Sequence, residues 1–241
     1  MIRGLYTSAT GMLAELARQD VVANNLANAD SVGYKRDNLT EVPFSEYLMN
    51  AYAKGKATPI GQLGLGVDVI SRYSDFGPGA ITVTDNPTDF AIEGNAFFAV
   101  ERNGAVAYTR AGNFLVNQDN VLVTQNGDPV LGENGSITVN GPFTVSPAGE
   151  VMENGQVIAR LRLAATAGMI KQGDSYYTNS SDTPAPAGDY QVIQGALERS
   201  NVNSIREMVQ MITVTRSYDA NQKVLTAQDD TLGKAVNDLA K

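Results

Sequence analysis

Seven-residue repeats of apolar side chains at both ends of the chain constrain its fold more than any other feature. In residues 1–28 one row of the repeat is entirely apolar: Ile2, Ala9, Leu16 and Ala23. The second row contains a single polar residue: Leu5, Met12, Gln19 and Leu26. These are the two core rows of a coiled-coil heptad, so they predict a helix that packs along another helix.

The repeat in residues 201–240 is stricter. Its main row consists of large side chains: Met211, Tyr218, Leu225, Leu232 and Leu239, with Met208 and Val236 in the companion row. Ile205, Val209 and Ile212 widen the apolar stripe in the first two turns. Asn203 or Ser204 can cap the start of this helix, and Glu207 has capping-box spacing from Ser204. Such a helix is about 50 Å long at 1.5 Å per residue, which is long for a helix packed on a compact domain.

Apolar rows at both extremities suit a subunit that polymerises through its ends. The two seams are expected to pair within a subunit and then to bury their remaining apolar surface against neighbouring subunits. The predicted assembly interface consists of these residues: Ile2, Leu5, Met12, Leu16, Leu26, Met208, Met211, Tyr218, Leu225, Leu232 and Leu239.

The middle of the chain has the pattern of β-structure. Asn-Gly occurs five times, at 103–104, 126–127, 134–135, 140–141 and 154–155. This dipeptide accepts the positive φ angles of tight hairpin turns, so its density indicates an antiparallel meander. Alternation supports the same reading, because Val157, Ala159, Leu161 and Leu163 point one way.

We therefore predict an α+β protein, with an antiparallel all-β central domain and N- and C-terminal α-helices that form a coiled-coil assembly domain. Residues 1–36 and 201–241 form the terminal helical assembly domain. Residues 66–164 form the β domain. The connector 37–65 precedes it, and the connector 165–200 completes it.

Composition excludes several classes of function. The 241 residues include no Cys and no His, which removes thiolate nucleophiles, Cys-based metal sites and the commonest general base. The net charge of −8 makes nucleic acid a poor partner. We predict no enzymatic activity, cofactor, metal or small-molecule substrate. A carboxylate-using enzyme remains an alternative, but nothing in the sequence brings two carboxylates together as such chemistry requires.

No segment approaches the roughly 20 apolar residues that a membrane-spanning helix needs. The N-terminus has no apolar run of the kind that a secretory signal requires. We expect the protein either to remain in the cytoplasm or to leave by a route that reads an uncleaved N-terminus.

Motifs at both ends and in the centre resemble those of the flagellar rod and hook protein family. The terminal elements are Asn24–Asn28 followed by Gly33-Tyr34-Lys35, and Glu198–Asn203 followed by Met208–Ile212. The central elements are Asp89–Ile92, Gly94–Phe98 and Tyr108–Phe114, with Ala96 where the family pattern commonly has Gly. The motif residues at the ends are Asn24, Asn25, Leu26, Asn28, Gly33, Tyr34, Ser200, Asn201, Val202 and Asn203.

The resemblance implies a structural subunit of the bacterial flagellar basal body. It implies export through the flagellar type III apparatus without a cleaved signal peptide, and other rod and hook subunits as partners. Terminal helices would form an inner coiled-coil tube and β domains an outer layer. The overall length and the short connector after Tyr34 favour the proximal rod protein, with the distal rod protein or a hook-type axial subunit next. The alternative of another class is a secreted β-rich binding or adhesion module with helical stalks.

Overall fold

In a computed structural model, the chain is described at residues 2–43, 47–53, 56–63, 66–173, 175–179, 184 and 189–239. Over these ranges a long helix stands at each end of a strand-rich middle. The helices are α1 (Ile2–Ala27) and α2 (Ser204–Leu239). The first ten strands are β1 (Asp37–Pro43), β2 (Tyr47–Ala53), β3 (Lys56–Leu63), β4 (Val67–Ser74), β5 (Ile81–Val83), β6 (Phe90–Gly94), β7 (Ala96–Arg102), β8 (Ala105–Thr109), β9 (Leu115–Val116) and β10 (Leu122–Val123). The other ten are β11 (Leu131–Gly132), β12 (Gly135–Ser136), β13 (Phe143–Val145), β14 (Glu150–Glu153), β15 (Gln156–Arg160), β16 (Leu163–Ala165), β17 (Met169–Gly173), β18 (Tyr176–Asn179), β19 (Tyr190–Gln194) and β20 (Ala196–Glu198).

The α+β class predicted from the sequence is confirmed. Both terminal helices start and end within a few residues of the predicted limits. The middle consists of strands that pair in the antiparallel sense, as the density of Asn-Gly dipeptides predicted.

The chain divides into two compact units. The helical unit comprises Met1–Ala27, Asp37–Tyr73 and Asn203–Lys241, and the β unit comprises Asn28–Arg36 and Ser74–Val202. Both segments predicted as connectors contain strands: β1 to β3 lie in 37–65, and β17 to β20 lie in 165–200. The four-part domain division itself stays a prediction.

A five-stranded antiparallel sheet, in the order β16-β7-β8-β18-β17, organises the β unit. Strand β7 is buried on both sides because its alternating side chains enter two different cores. Phe98 and Val100 join the larger core, whereas Phe97 and Ala99 join the smaller one. In the smaller core Phe97 packs edge-to-face on Tyr177, with 5.0 Å between ring centroids.

Four of the five Asn-Gly dipeptides lie in turns or hairpins. At Asn103-Gly104 and Asn154-Gly155 both residues have positive φ, which is the geometry of a type I′ hairpin turn. Gly127 and Gly135 also have positive φ. Asn140-Gly141 is not between paired strands, so the prediction was wrong at that dipeptide.

The alternation predicted in residues 157–163 holds in its second half. Leu161 and Leu163 are in the larger core, and Ala159 packs against it. Val157 is exposed, because it belongs to the turn end of the β14–β15 hairpin.

Candidate assembly interface

Helices α1 and α2 of the helical unit pack along one another in antiparallel register. Three pairs of neighbouring residues, one from each helix, define that register. The Asn25 amide lies 3.4 Å from the Glu207 carboxylate. A Cβ built on Gly11 would lie 3.1 Å from the Asn221 amide nitrogen, and one built on Gly4 would clash with the Gln228 amide. Small residues on α1 therefore allow polar side chains of α2 to reach its backbone.

The seam between the two helices combines apolar and polar side chains. Besides Asn25 and Glu207, its buried members are Ser8, Ala14, Val21, Val22 and Val214. Gln228 contributes a side-chain oxygen that is buried without a hydrogen-bond partner among the described residues. Such an atom is destabilising, because burial removes it from water.

The predicted companion row of α2 is exposed within one subunit, and its part in contacts between subunits stays a prediction. Met208 and Val236 are 52% and 64% exposed. The row that faces α1 beside Met211 and Tyr218 instead contains Glu207, Val214, Asn221 and Gln228. The prediction followed hydrophobicity, and three of the four residues actually used are polar, so the apolar pattern could not identify them.

The predicted rows of α1 also differ from the face that contacts α2. Gln19, Ala23 and Leu16 are exposed, whereas Gly4, Ser8 and Gly11 approach α2. At 100° per residue, the row of Ile2, Ala9, Leu16 and Ala23 lies on the far side of the helix from these small residues, whereas the row of Leu5, Met12, Gln19 and Leu26 flanks them.

The predicted interface residues fall into three groups. Half-buried side chains are those of Leu5, Met12, Leu26, Met211, Tyr218, Leu225 and Leu232. Exposed side chains are those of Leu16 and Met208. Ile2 and Leu239 lie outside the residues whose side chains are described.

Each helix carries a large apolar surface that faces away from the other helix. The α1 outer face consists of Tyr6, Leu13 and Leu16, which are between 47% and 69% exposed. The α2 outer patch consists of Ile205, Met208, Val209 and Ile212, which are between 52% and 73% exposed. The α2 residues have the i, i+3, i+4, i+7 spacing of a single helix face, and the α1 residues, spaced i, i+7 and i+10, also lie on one face. Exposed apolar surfaces of this kind mark interaction sites.

The N-terminal motif fixes the end of α1. The Asn25 side chain donates to the Asp37 carbonyl oxygen and accepts from the Asp37 backbone N–H, both at 2.9 Å. One buried amide thereby pairs with both polar groups of a backbone residue as a neighbouring strand would. This explains why the motif has an asparagine at this position.

A buried charge cluster holds together the segments of the β unit that carry the other motifs. Glu198 accepts from Lys35 at 2.8 Å through one carboxylate oxygen and from Arg110 through the other. All three side chains are only 2% to 3% exposed. Arg110 also donates to the backbone carbonyl oxygens of Ile92, Gly94 and Ala96. The cluster thus joins the start, the middle and the end of the β unit.

The charges in this cluster do not balance, because two cations share one carboxylate. Burial raises the pKa of Glu198, but attraction to Arg110 and Lys35 outweighs that effect and holds the pKa below its usual value. Burial lowers the pKa of Lys35, and the bond to Glu198 only partly offsets this.

Two further motif residues complete the junction. Gly33 has a φ of 65°, and a Cβ there would clash with the backbone of Arg110 and Ala111. Asn201 accepts from the Arg36 backbone N–H at 2.8 Å and donates to the Asp75 carbonyl oxygen at 2.9 Å. Gly33 and Asn201 are among the predicted motif residues, whereas the charge cluster was not predicted. The only sequence signal for it is that three charged residues, Lys35, Arg110 and Glu198, each stand inside a motif.

The structure also offers a polar cleft of about 390 Å³ in the β unit. Its lining consists mainly of hydroxyl and amide side chains: Ser31, Thr109, Asn113, Thr124, Gln125, Asn126, Ser175 and Tyr176. In the described parts of the chain, no three His, Cys, Asp or Glu side chains are arranged to hold a metal ion. Neither described helix is both long enough and apolar enough to cross a membrane.

Three family models match separate parts of the chain. Residues 5–35 match the model described as "Flagella basal body rod protein". Residues 91–159 match "Flagellar hook protein FlgE/F/G D1 domain", and residues 193–239 match "Flagellar basal body rod FlgEFG protein C-terminal". The first and third matches include the helices of the candidate interface, and the second lies within the β unit.

Curated relatives match the chain along its whole length. It is 33% identical to the flagellar basal-body rod protein FlgF of Caulobacter vibrioides, over 100% of this chain and 99% of the relative. It is 30% identical to the flagellar basal-body rod protein FlgG of Bacillus subtilis, over 98% and 99%. It is 33% identical to the flagellar hook-basal body complex protein FlhO of Bacillus subtilis, over 100% of both chains.

Proposed function

The chain belongs to the family of flagellar basal-body rod proteins, and we propose that its helices α1 and α2 polymerise it into the torque-transmitting axial shaft. As a member of this family it is a structural subunit of the bacterial flagellar basal body. Its partners are further copies of itself and other rod and hook subunits.

The observation that carries this proposal is the outward apolar surface of the helix pair. The α1 outer face and the α2 outer patch are different surfaces of the same unit, and both are open. Contacts between two different surfaces of identical subunits generate rings or open helical filaments rather than closed dimers, and a filament forms when the rotation between subunits does not close. A tube of interlocked helices resists twist, which a rotating shaft requires.

The buried polar groups between the helices, including the unpartnered Gln228 oxygen, support a further part of the proposal, that the helices order fully only on assembly. Isolated helices are marginally stable in water, and Gly4 and Gly11 lower the helix propensity of α1. Burial of the outer faces against sister subunits then supplies the missing stabilisation. This gives the assembly a coiled-coil layer made from the terminal helices.

Circular dichroism on monomer and polymer at equal mass concentration tests this proposal. We expect a higher mean helical signal in the polymer, because α1 and α2 gain order. A monomer with both helices already fully formed would contradict it. As a control, a chain lacking residues 1–30 should neither assemble nor restore motility to a strain without the protein. Assembly by that truncated chain would point instead to a separate binding module.

Export belongs to the proposal as well. Passage through the flagellar type III apparatus requires a chain that can unfold, and a sequence without Cys forms no disulfides that would prevent this. We propose that export proceeds without a cleaved signal peptide, and that the protein has no enzymatic role and binds no nucleic acid or small-molecule substrate.

Within the family we propose the proximal rod position, from the length of the chain and the short connector after Tyr34. Electron microscopy of basal bodies isolated from a strain lacking this chain tests that position. A rod that stops near its base is the expected result. A rod that stops near the hook would place the subunit distally.

A further inference from the structure

We propose that the α1 outer face of one subunit docks on the α2 outer patch of a second copy, displaced along the helix axis from the register used inside a subunit. The displacement is about ten residues, or roughly 15 Å at 1.5 Å per residue. This inference rests on the proposed function and specifies which surfaces meet and how they are staggered.

The two surfaces cannot meet inside one subunit. The internal register sets Gly11 beside Asn221 and Asn25 beside Glu207. Leu13 therefore lies level with the middle of α2, whereas Val209 lies near its start. Both also point away from the seam, as their exposure shows. A second copy is needed to bring them together, and copies placed side by side without a shift would leave them at different levels.

Shape favours one staggered register. Because α1 and α2 are antiparallel within each subunit, parallel copies present α1 and α2 to each other in antiparallel sense as well. Setting Leu13 against Val209 and Met208 then brings Leu16 beside Ile205. The same register brings the small Ala9 opposite Ile212, so a large side chain meets a small one there. Large side chains of each face then fit between the side chains of the other face, as in helix packing generally.

Charge complementarity favours the same register. Asp20 is exposed on the α1 outer face, one turn beyond Leu16. In the staggered register it approaches exposed Arg206 and the N-terminus of α2, where the helix dipole favours a negative charge. At the opposite end, exposed Arg216 comes level with Tyr6, a geometry in which a guanidinium stacks on an aromatic ring. An ordinary coiled-coil extension of the internal seam offers neither pairing.

Disulfide cross-linking tests the register directly, because the natural chain has no Cys. Full-length Leu13→Cys subunits are mixed with full-length Val209→Cys subunits, allowed to polymerise, and oxidised. We expect disulfide-linked dimers that contain one subunit of each kind. The matched control is Val236→Cys, an exposed valine of the same helix that lies about 40 Å away from Val209 at 1.5 Å per residue. It should give at most about a tenth of the cross-linked product.

A charge exchange provides a second readout that does not depend on oxidation. Asp20→Arg alone should raise the concentration needed for polymerisation at least about fivefold, since it sets like charges together. Combining it with Arg206→Asp should restore that concentration to within about twofold of the natural chain.

The outcomes separate this inference from the proposed function. Polymers that form without the Leu13–Val209 product, or that link Leu13 to Leu13, overturn the staggered register but leave polymerisation standing. Failure of the natural chain to polymerise under any condition overturns both. Failure of the double charge exchange to restore polymerisation overturns the pairing of Asp20 with Arg206, and the register with it.

Discussion

At the scale of single residues, the β unit depends on charged and glycine residues that hydrophobicity does not identify. Glu198 is buried between two cations and also accepts from the Gly79 backbone N–H at 2.7 Å. A buried carboxylate of this kind contributes little net stability compared with an apolar residue, but removal of one partner leaves charge uncompensated. The cluster therefore specifies which segments come together more than it adds to stability.

Glu198→Gln should lower the free energy of unfolding of the β unit by about 3–5 kcal/mol, because Lys35 and Arg110 lose their shared counter-charge. Urea unfolding followed by the near-ultraviolet circular dichroism of buried Tyr108 and Tyr177 measures the loss. The exposed Glu93→Gln is the matched control and should change the free energy by less than about 0.5 kcal/mol. Equal effects of the two variants would contradict the structural role of the cluster.

The stability of the natural protein and that of Glu198→Gln should depend differently on pH. The pKa of Glu198 is lowered in the fold, so its contribution is fully present above the usual value of 4.5 and is lost as pH falls through the lower folded pKa. The natural protein should therefore lose stability below about pH 4.5 more steeply than Glu198→Gln. Parallel curves of unfolding free energy against pH would contradict this assignment.

Substitution of two glycines distinguishes the effect of backbone strain from that of steric crowding. Gly33 and Gly104 both have positive φ, but only Gly33 has neighbouring backbone where a Cβ would lie. Gly104→Ala should lower the free energy of unfolding by about 1 kcal/mol, because alanine is strained at positive φ. Gly33→Ala should lower the free energy of unfolding by at least about 3 kcal/mol, because the Arg110 backbone must also move. Thermal unfolding of both variants under one condition gives the comparison, and equal losses would exclude crowding as a cause.

At the scale of elements, each terminal helix is specified by different features on its two sides. The start of α2 is capped by Asn203, whose side-chain oxygen accepts from the Arg206 backbone N–H at 3.0 Å. Glu207 is buried near Asn25 and so does not serve as an exposed partner of a capping box. The inner side of each helix supplies register through small and polar residues, and the outer side supplies apolar surface.

Asn203→Ala should destabilise α2 by about 0.5–2 kcal/mol, because the first turn loses a side-chain acceptor. Asn203→Asp should remain near the natural value, since aspartate caps equally well and favours the helix dipole. Amide hydrogen exchange in the first two turns of α2 measures the difference. If amide exchange became faster in both variants or in neither, the side-chain cap would not determine the stability of the first turns of α2.

At the scale of the whole molecule, both hydrophobic cores lie inside the β unit. Every buried member of the two cores falls between Phe90 and Val192. The helical unit, by contrast, lies outside both cores and has exposed apolar faces on both helices. The β unit is thus stabilised from within, whereas the helical unit leaves large apolar side chains exposed.

The segment 28–202, which includes all of the β unit, should therefore fold alone. We expect cooperative thermal unfolding and a near-ultraviolet spectrum like that of the full chain. The segment 37–202 is the control: it lacks Gly33 and Lys35 and should lose cooperative unfolding. If 28–202 were unfolded, the cores of the β unit would depend on the terminal helices after all.

Local sequence signals predicted both terminal helices and the antiparallel strands of the middle, but they missed β1 to β3 in the connector 37–65. Heptad spacing located α1 and α2, and four Asn-Gly dipeptides located turns or hairpins, because both signals are local and depend on backbone periodicity or on φ. Motif resemblance located the residues at the junction of the β unit, including Gly33 and Asn201. None of these signals required knowledge of which segments meet.

Only the tertiary structure decided which face of each helix turns inward. Apolar periodicity favoured the row of Met208 and Val236, but Gly4 and Gly11 let the amides of Gln228 and Asn221 approach instead. Likewise, no spacing in the sequence pairs Lys35 with Glu198 across 163 positions. Partner choice depends on the close approach of segments that are distant in the chain, and a periodic pattern holds no information about such approach.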